Sequence, residues 1–249
     1  MDISSFYVRE IKISKEIPRE SGLAALPVVR QLKTNGISFT RPVSFFVGEN
    51  GVGKSTLIEA LAISMGFNPE GGTVNFSFST ADSHSDLHRY LTVVKGPIRH
   101  RDGFFLRAES FYNLASDIDR MDREASFGGR LIDHYGGVSL HRQSHGESFL
   151  SLVKNRFGGH GLYILDEPEA ALSPTGLMAL ICQFQRLVKE DSQLIIATHS
   201  PILMAFPGAE VFQLSEEGIQ SLPYWQTEHF QLTRQFLNAP EKMLSLLLK

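Results

Sequence analysis

Cysteine is nearly missing: one residue, Cys182, stands in a chain of 249. A disulfide framework is therefore excluded, and a reducing, cytoplasmic setting is expected. Cys182 lies in the apolar stretch Leu177 to Leu187, so it is expected to be a small buried hydrophobe. No run approaches the ~18 apolar residues of a membrane helix, and no membrane insertion is expected. The opening residues MDISSFYVREIKISKE alternate and carry charge, with no apolar signal region. Net charge is small, −3 with a pI near 6.3, which removes any global electrostatic case for nucleic acid or anionic membrane. Internal repeats, low-complexity tracts, sustained heptads and a G-x-S-x-G elbow are also missing.

What is present centres on one stretch, Gly48-Glu49-Asn50-Gly51-Val52-Gly53-Lys54-Ser55-Thr56. Its first eight residues satisfy G-x-x-x-x-G-K-[ST]. The apolar run Val43 to Val47 leads in and Leu57 to Ala62 follows, giving the strand–loop–helix context that the motif requires. Glycines allow a tight turn with successive N–H groups pointing inward, at the positive end of a helix starting near Lys54. Lys54 is placed to reach β- and γ-phosphates, and the Ser55 hydroxyl to complete a Mg²⁺ shell. The alternative is a Gly-rich left-handed turn before a core helix. The flanking context favours a nucleotide.

The 249 residues suit one large α/β domain with 42% hydrophobic and 20% charged residues. Strands are predicted at Phe6 to Ile13, Val43 to Val47, Asn75 to Ser79, Leu91 to Val94, Phe104 to Ala108, Leu162 to Leu165 and Gln193 to Ala197. A hairpin is predicted from Val211 to Leu222 across Glu216-Glu217-Gly218. Helices are predicted at Pro27 to Leu32, from Lys54 to about Met65, at Ser110 to Arg123, Ser148 to Arg156 and Thr175 to Lys189. The tail from Gln231 is expected to be two helical pieces broken by Pro240. One domain is expected over 1–249, with a helical subregion at about 110–160 and a helical tail over 223–249.

LYILDEPE, Leu162 to Glu169, is an apolar strand ending in two acids. Beside a phosphate loop, Asp166 would hold Mg²⁺ and Glu167 would orient or deprotonate an attacking water. Without that loop, a helix-start acid or a solvated turn is the usual explanation. LIIATHSP follows, another buried strand ending in Thr198-His199-Ser200. A lone histidine is more often structural, but His199 falls at the C-terminal edge of a parallel strand, where open α/β sheets place ligands.

In this order the motifs resemble the ABC-type ATPases, P-loop NTPases. The likeness is nearest to their non-transporter branch of SMC and RecF-like heads and to bacterial AAA-family ATPases with a THSP ending. It spans Val43 to about Leu222. The resemblance implies a mostly parallel central sheet, an antiparallel N-terminal lobe and Mg²⁺-dependent ATP hydrolysis. It also implies that Ser144, His145, Gly146 and Glu147 line up with a loop that caps the γ-phosphate of an opposite subunit. By themselves these four residues read as a helix cap. A head-to-tail homodimer that closes on ATP and moves an unidentified protein partner follows from the same likeness. Alternatives are a nucleotide-gated switch with little turnover and a transporter's nucleotide-binding subunit.

The chain departs from that pattern in places. Glu109, in FFLRAES, stands nearest the usual Mg²⁺-contacting glutamine, with Arg107 just before it. His145 replaces a glycine, Gln143 an apolar residue, and Ser173 a common aspartate. Phe39 and Tyr7 are the candidates for stacking on adenine. Glu109 and Ser144 are 35 residues apart, too close for long coiled-coil arms. The pairs His84/His88 and His141/His145 have i, i+4 spacing but no clear third ligand, so zinc is not expected. The cluster Lys95, Arg99, His100, Arg101, Arg107, interleaved with Phe104 and Phe105, leaves DNA as an open alternative partner. Asp117, Asp119, Asp122 and Glu124, mixed with Arg120 and Arg123, read as an exposed helix face.

Overall fold

A computed structural model describes residues 6–18, 20–73, 85–124 and 131–248. The predicted strand at Asn75 to Ser79 and His84 lie outside them. Strand β1, Val8–Ile13, buries Val8, Ile11 and Ile13, with an irregularity in register between Val8 and Glu10 that leaves Arg9 and Glu10 both open. Helix α1, Pro27–Thr34, starts with proline at its first turn, where the missing N–H has no intrahelical partner to lose. Strand β2 is the short Ile37–Ser38, and β3, Val43–Val47, is buried at every position. Helix α2, Lys54–Ser64, follows the phosphate loop. Strand β4 is Leu91–Lys95 and β5 is Asp102–Arg107.

The helical subregion comprises α3, Phe111–Glu124, and α4, His145–Arg156. Then come β6, Gly161–Asp166; α5, Pro174–Lys189; β7, Gln193–Ala197; and the four-residue α6, Pro201–Met204. Strands β8, Glu210–Ser215, and β9, Gly218–Ser221, form the expected antiparallel hairpin. Two helices close the chain, α7, Glu228–Asn238, and α8, Pro240–Leu247.

Six strands form the central sheet in the order β5-β6-β7-β3-β8-β9, and all but β9 run parallel. A separate antiparallel sheet, β2-β1-β4, makes the N-terminal lobe. The expected fold class is therefore the one observed. The two sheets are joined by Gln193, whose buried side-chain amide accepts from Val8 N and donates to Val8 O, both at 2.9 Å. Apolar side chains from opposite faces of β3, β6 and β7 enter two cores. One lies under α2 and the N-terminal lobe, and the other under α4 and α5. Strands covered on both faces can be continuously apolar, as β3, β6 and β7 are at almost every position.

Parallel register brings three strand ends together. Asp166 ends β6 opposite Ala197, the end of β7, and Ala197 lies opposite Phe46 of β3. Backbone bonds continue past the strands, Glu167 N to Ala197 O and Thr198 N to Phe46 O, both at 3.0 Å. Both turns are therefore held beside the phosphate loop.

Several local expectations are corrected. Cys182 is exposed. Helix α5 buries Leu177, Leu180, Phe184 and Leu187, a stripe at helical spacing that leaves position 182 on the other side. Phe39 and Tyr7 do not offer a stacking face: Phe39 packs edge-on to Phe46 and Phe212, and Tyr7 is buried beside His100. Part of the basic cluster stays together, Lys95, Arg99 and His100 lining one cleft, while Arg107 leaves it. Phe104 and Phe105 are core, Arg107 turns toward Glu59, and His100 stacks on Phe67. On α3 the acids do more than meet solvent, since Asp119 accepts from Ser139 Oγ at 2.6 Å and Asp122 from Ile132 N at 3.1 Å.

Candidate nucleotide-binding site

Backbone geometry makes the loop. Gly48 has φ 146°, and a Cβ there would sit 2.2 Å from the Leu214 carbonyl oxygen. Gly53 has φ 100° and leaves room for Val28, whose Cγ1 would be 2.7 Å from an added Cβ. Lys54 opens α2 with its side chain buried, and its ammonium donates to Gly48 O at 2.8 Å and Glu49 O at 2.9 Å. Burial pushes this amine below the ordinary lysine value, against the upward pull of Glu167, Asp166, Glu49 and Glu169. The cation is thus surrounded by carboxylates yet poorly hydrated, which strengthens its attraction for an anion.

Ser55 Oγ donates to Asp166 Oδ1 at 3.1 Å. Asp166 is buried, and burial pushes its carboxyl up to about 6 despite Arg107 and Ser55, with Glu167 and Glu109 adding to the rise. Arg107 Nε stands 3.8 Å from Asp166 Oδ2, while its Nη1 donates to Glu59 at 2.7 Å. The Arg107 guanidinium is shared, so Asp166 keeps an excess of negative charge. A hard oxygen pair of this kind, hydroxyl plus under-compensated carboxylate, fits Mg²⁺. Glu109 is exposed, and its nearest ionic partner is Arg107 at 3.5 Å.

Glu167 adopts the left-handed conformation, φ 51° and ψ 51°, just before Pro168. Such a position is costly for a residue with a Cβ, of order 1–3 kcal/mol, and persists where surroundings enforce it. Here the Glu167 N–H is held by β7. Its carboxylate Oε1 faces His199 Nε2 at 3.5 Å, too long and ill-aligned for a hydrogen bond. His199 is anchored twice: its backbone N–H donates to the Glu169 carboxylate, and its Nδ1 is 3.0 Å from His229 Nε2 on α7. Burial, then Lys54 and His229, hold the His199 imidazole below its ordinary value. Burial also raises Glu169.

Ser144 to Glu147 form a complete capping box on α4. Ser144 Oγ accepts from Glu147 N at 3.4 Å and donates to Glu147 Oε2 at 2.6 Å, and Ser144 N donates to the same carboxylate at 3.1 Å. These bonds hold Glu147 below the ordinary carboxylate value. The helix starts at His145, three residues before the predicted start, because this cap stabilises the extra turn. Gly146 lies against the turn after Glu167, where an added Cβ would be 3.0 Å from Ala171 O. Among the described residues, no hydrogen bond or ion pair joins 144–147 to the phosphate loop of the same chain.

The structure therefore brings Lys54, Ser55, Asp166, Glu167 and His199 to one sheet edge, places Glu109 at the surface and Ser144 apart. Sequence reading missed His229 and Glu169. Glu169 carried a signal, as the last acid of DEPE. His229 carried none. No cluster of three metal-ligating side chains occurs among the described residues.

A six-stranded, largely parallel sheet with a glycine-rich loop between β3 and α2 defines a P-loop NTPase. Comparison with known proteins narrows this. Residues 29–103 match a family model described as "AAA domain", and 138–205 match "AAA domain, putative AbiEii toxin, Type IV TA system". An "Uncharacterized ABC transporter ATP-binding protein" of Haemophilus influenzae is 25% identical over 184 residues, 69% of each chain. The "Cobalt import ATP-binding protein CbiO" of Salmonella typhimurium is 29% identical over 169 residues, 64% of this chain and 62% of that protein. The solved structure of cbiO1 from Clostridium perfringens, "Part of the ABC transporter complex cbiONQ", superposes with a TM-score of 0.53. It is 16% identical and covers 98% of this chain and 100% of that one. These matches support a P-loop ATPase of the ABC type, the class that the fold and the phosphate loop define.

Proposed function

We propose that the protein binds Mg·ATP and hydrolyses it, closing as a homodimer around the nucleotide. The observation that carries this reading is the convergence of Lys54, the Ser55–Asp166 pair and the Glu167–His199 pair from three separate turns. The N–H groups of Gly48 to Thr56 and Lys54 hold the phosphates and stabilise the charge that develops on the transferred group. Ser55 and Asp166 would hold Mg²⁺, and Glu109, exposed and paired with Arg107 at 3.5 Å, is a further candidate for that shell. Held there, the ion would supply positive charge against the phosphate oxygens. Glu167 takes the proton of the attacking water, and the His199 imidazole hydrogen-bonds the terminal phosphate. Ser144 to Glu147 cap the nucleotide of a second copy. Gly146 transmits that contact through its packing on the turn that carries Glu167.

The test pairs turnover with solution mass. Glu167→Gln should lower phosphate release by at least about 100-fold while keeping ATP binding. Light scattering on that variant should show 27.8 kDa without nucleotide and twice that with Mg·ATP, and adding Ser144→Arg should prevent the doubling. Wild-type protein that binds ATP but releases no phosphate would leave a nucleotide-gated switch. An unchanged mass would end the dimer reading.

The names of the relatives support a second reading, the nucleotide-binding subunit of a transporter. Stable co-purification with a membrane protein would favour it, whereas stimulation of turnover by DNA would point to a nucleic-acid machine.

A further inference from the structure

Two imidazoles share one proton position at the edge of the site, and their surroundings decide where it goes. His199 Nδ1 and His229 Nε2 are 3.0 Å apart, so one donates and the other accepts. His229 Nδ1 is buried with no hydrogen-bond partner, and so is His199 Nε2, which faces Glu167 Oε1 at 3.5 Å. Suppose His199 were the donor. His229 would then carry its proton on Nδ1, leaving a buried N–H without an acceptor. The His199 Nε2 lone pair would in turn point at a carboxylate oxygen. Both features are unfavourable, since orphaned buried N–H groups are rare and like-signed atoms repel. With His229 as donor, its Nδ1 is merely an unused acceptor, and His199 carries its proton on Nε2, facing Glu167. The neutral state of His199 is consistent with its lowered affinity for a second proton.

We propose that His229 is a positioning residue: its Nε2–H donates to His199 Nδ1 and holds His199 as the Nε2–H tautomer, ready to donate toward Glu167 and a phosphoryl oxygen. The first turn of α7 fixes His229 for this role. Thr227 is fully buried and its hydroxyl donates to Tyr224 O at 2.6 Å. Glu228 N–H donates to Gln213 of β8 at 3.0 Å, and Phe230 packs edge-on to Tyr224. Beyond that turn, residues 231–238 are exposed, so the helix is tied to the sheet where His229 sits. The phosphoryl half of this inference rests on the ATPase reading above, and the tautomer half does not.

The test therefore reads the tautomer directly. Two-bond proton–nitrogen correlation spectra of ¹⁵N-labelled protein, with His199 assigned through His199→Gln, should show the Nε2–H form in the nucleotide-free wild type. His229→Leu should give a mixture of both forms, and His229→Gln, whose amide can still donate, should restore the single form. In steady-state assays His229→Leu should lower kcat between about 10- and 100-fold, the usual loss for a group orienting a functional histidine. KM for ATP should stay within about twofold, and His229→Gln should recover most of kcat. An Nδ1–H form of His199 in the wild type would overturn the proposal. So would His229→Leu with an unchanged tautomer, whatever its kcat. If the wild type hydrolyses no ATP, the ATPase reading fails and the spectra alone decide the His229 role.

Discussion

At Asp166 burial and function pull in opposite directions. A carboxylate at a strand tip under α2 is desolvated, and the nearest cation, Arg107, is committed to Glu59. Its carboxyl consequently sits at about 6, above the ordinary aspartate value of 3.8. The sign follows from linkage. A group that binds its proton more tightly when folded stabilises the fold below its unfolded value, and that contribution disappears as pH rises through about 6. The two values together correspond to about 3 kcal/mol. Urea unfolding should therefore show Asp166→Asn gaining about 2 kcal/mol relative to wild type between pH 4 and pH 8. Parallel stability profiles for the two proteins would mean that Asp166 is not desolvated as described. The same residue shows what was legible at this scale. That Asp166, Glu167 and Lys54 would converge was readable because residue type beside a motif marks the ends of neighbouring parallel strands. Arg107 as the companion of Asp166 was not, because Glu59 on α2 and Asp166 on β6 meet it only in the fold.

Helix boundaries were legible to the extent that their signals are local. Strands β3 and β7 fall on their predicted limits, and Pro174 and Pro240 begin helices as proline at a first turn should. Helix α4 shows both a success and a miss. Ser144 and Glu147 were recognised as a cap, yet the helix was started at Ser148, since the capping loop of the family and a helical first turn share the same residues. The reciprocal bonds make a concrete expectation. Ser144→Ala should destabilise the protein by about 1 kcal/mol in urea, and Ser144→Asn, which keeps an acceptor at the cap, by less than about half of that. Equal stability of all three proteins would show that the box does not hold α4. Cys182 teaches the converse lesson. Apolar neighbours suggest a buried Cys182, whereas an amphipathic helix covers only one stripe, and position 182 lies off it.

For the whole molecule, the decisive feature is strand order. Placing β3 between β7 and β8 puts the phosphate loop beside both the Glu167 turn and the His199 turn. A ligand gripped by all three turns should bind the folded protein alone and stabilise it. Mg·ATP at 100 times its Kd should add about 2.7 kcal/mol, a rise of roughly 5–10 °C in melting temperature for a chain of this size. Lys54→Ala should lose this rise. Its melting temperature without ligand should change little, because the buried ammonium it removes is itself poorly hydrated. An undiminished rise in Lys54→Ala would place the nucleotide elsewhere.

Short-range chemistry was the part determined by the amino-acid order alone. A loop with φ values open to glycine, a lysine and hydroxyl at its end, acids after an apolar strand and the nature of the two tail helices all depend on neighbours a few residues apart. Tertiary structure decided which distant groups meet. Gln193 bonds both backbone groups of Val8 across 185 positions. Glu210 gathers Thr40, Arg41 and Ser44 at the entrance to β3. His229 comes to His199 from a helix whose pattern announces only amphipathicity. These pairings follow from sheet order and from how β8 delivers the tail to the edge of the site. A periodic pattern records which face of an element is buried, but not which other element covers it.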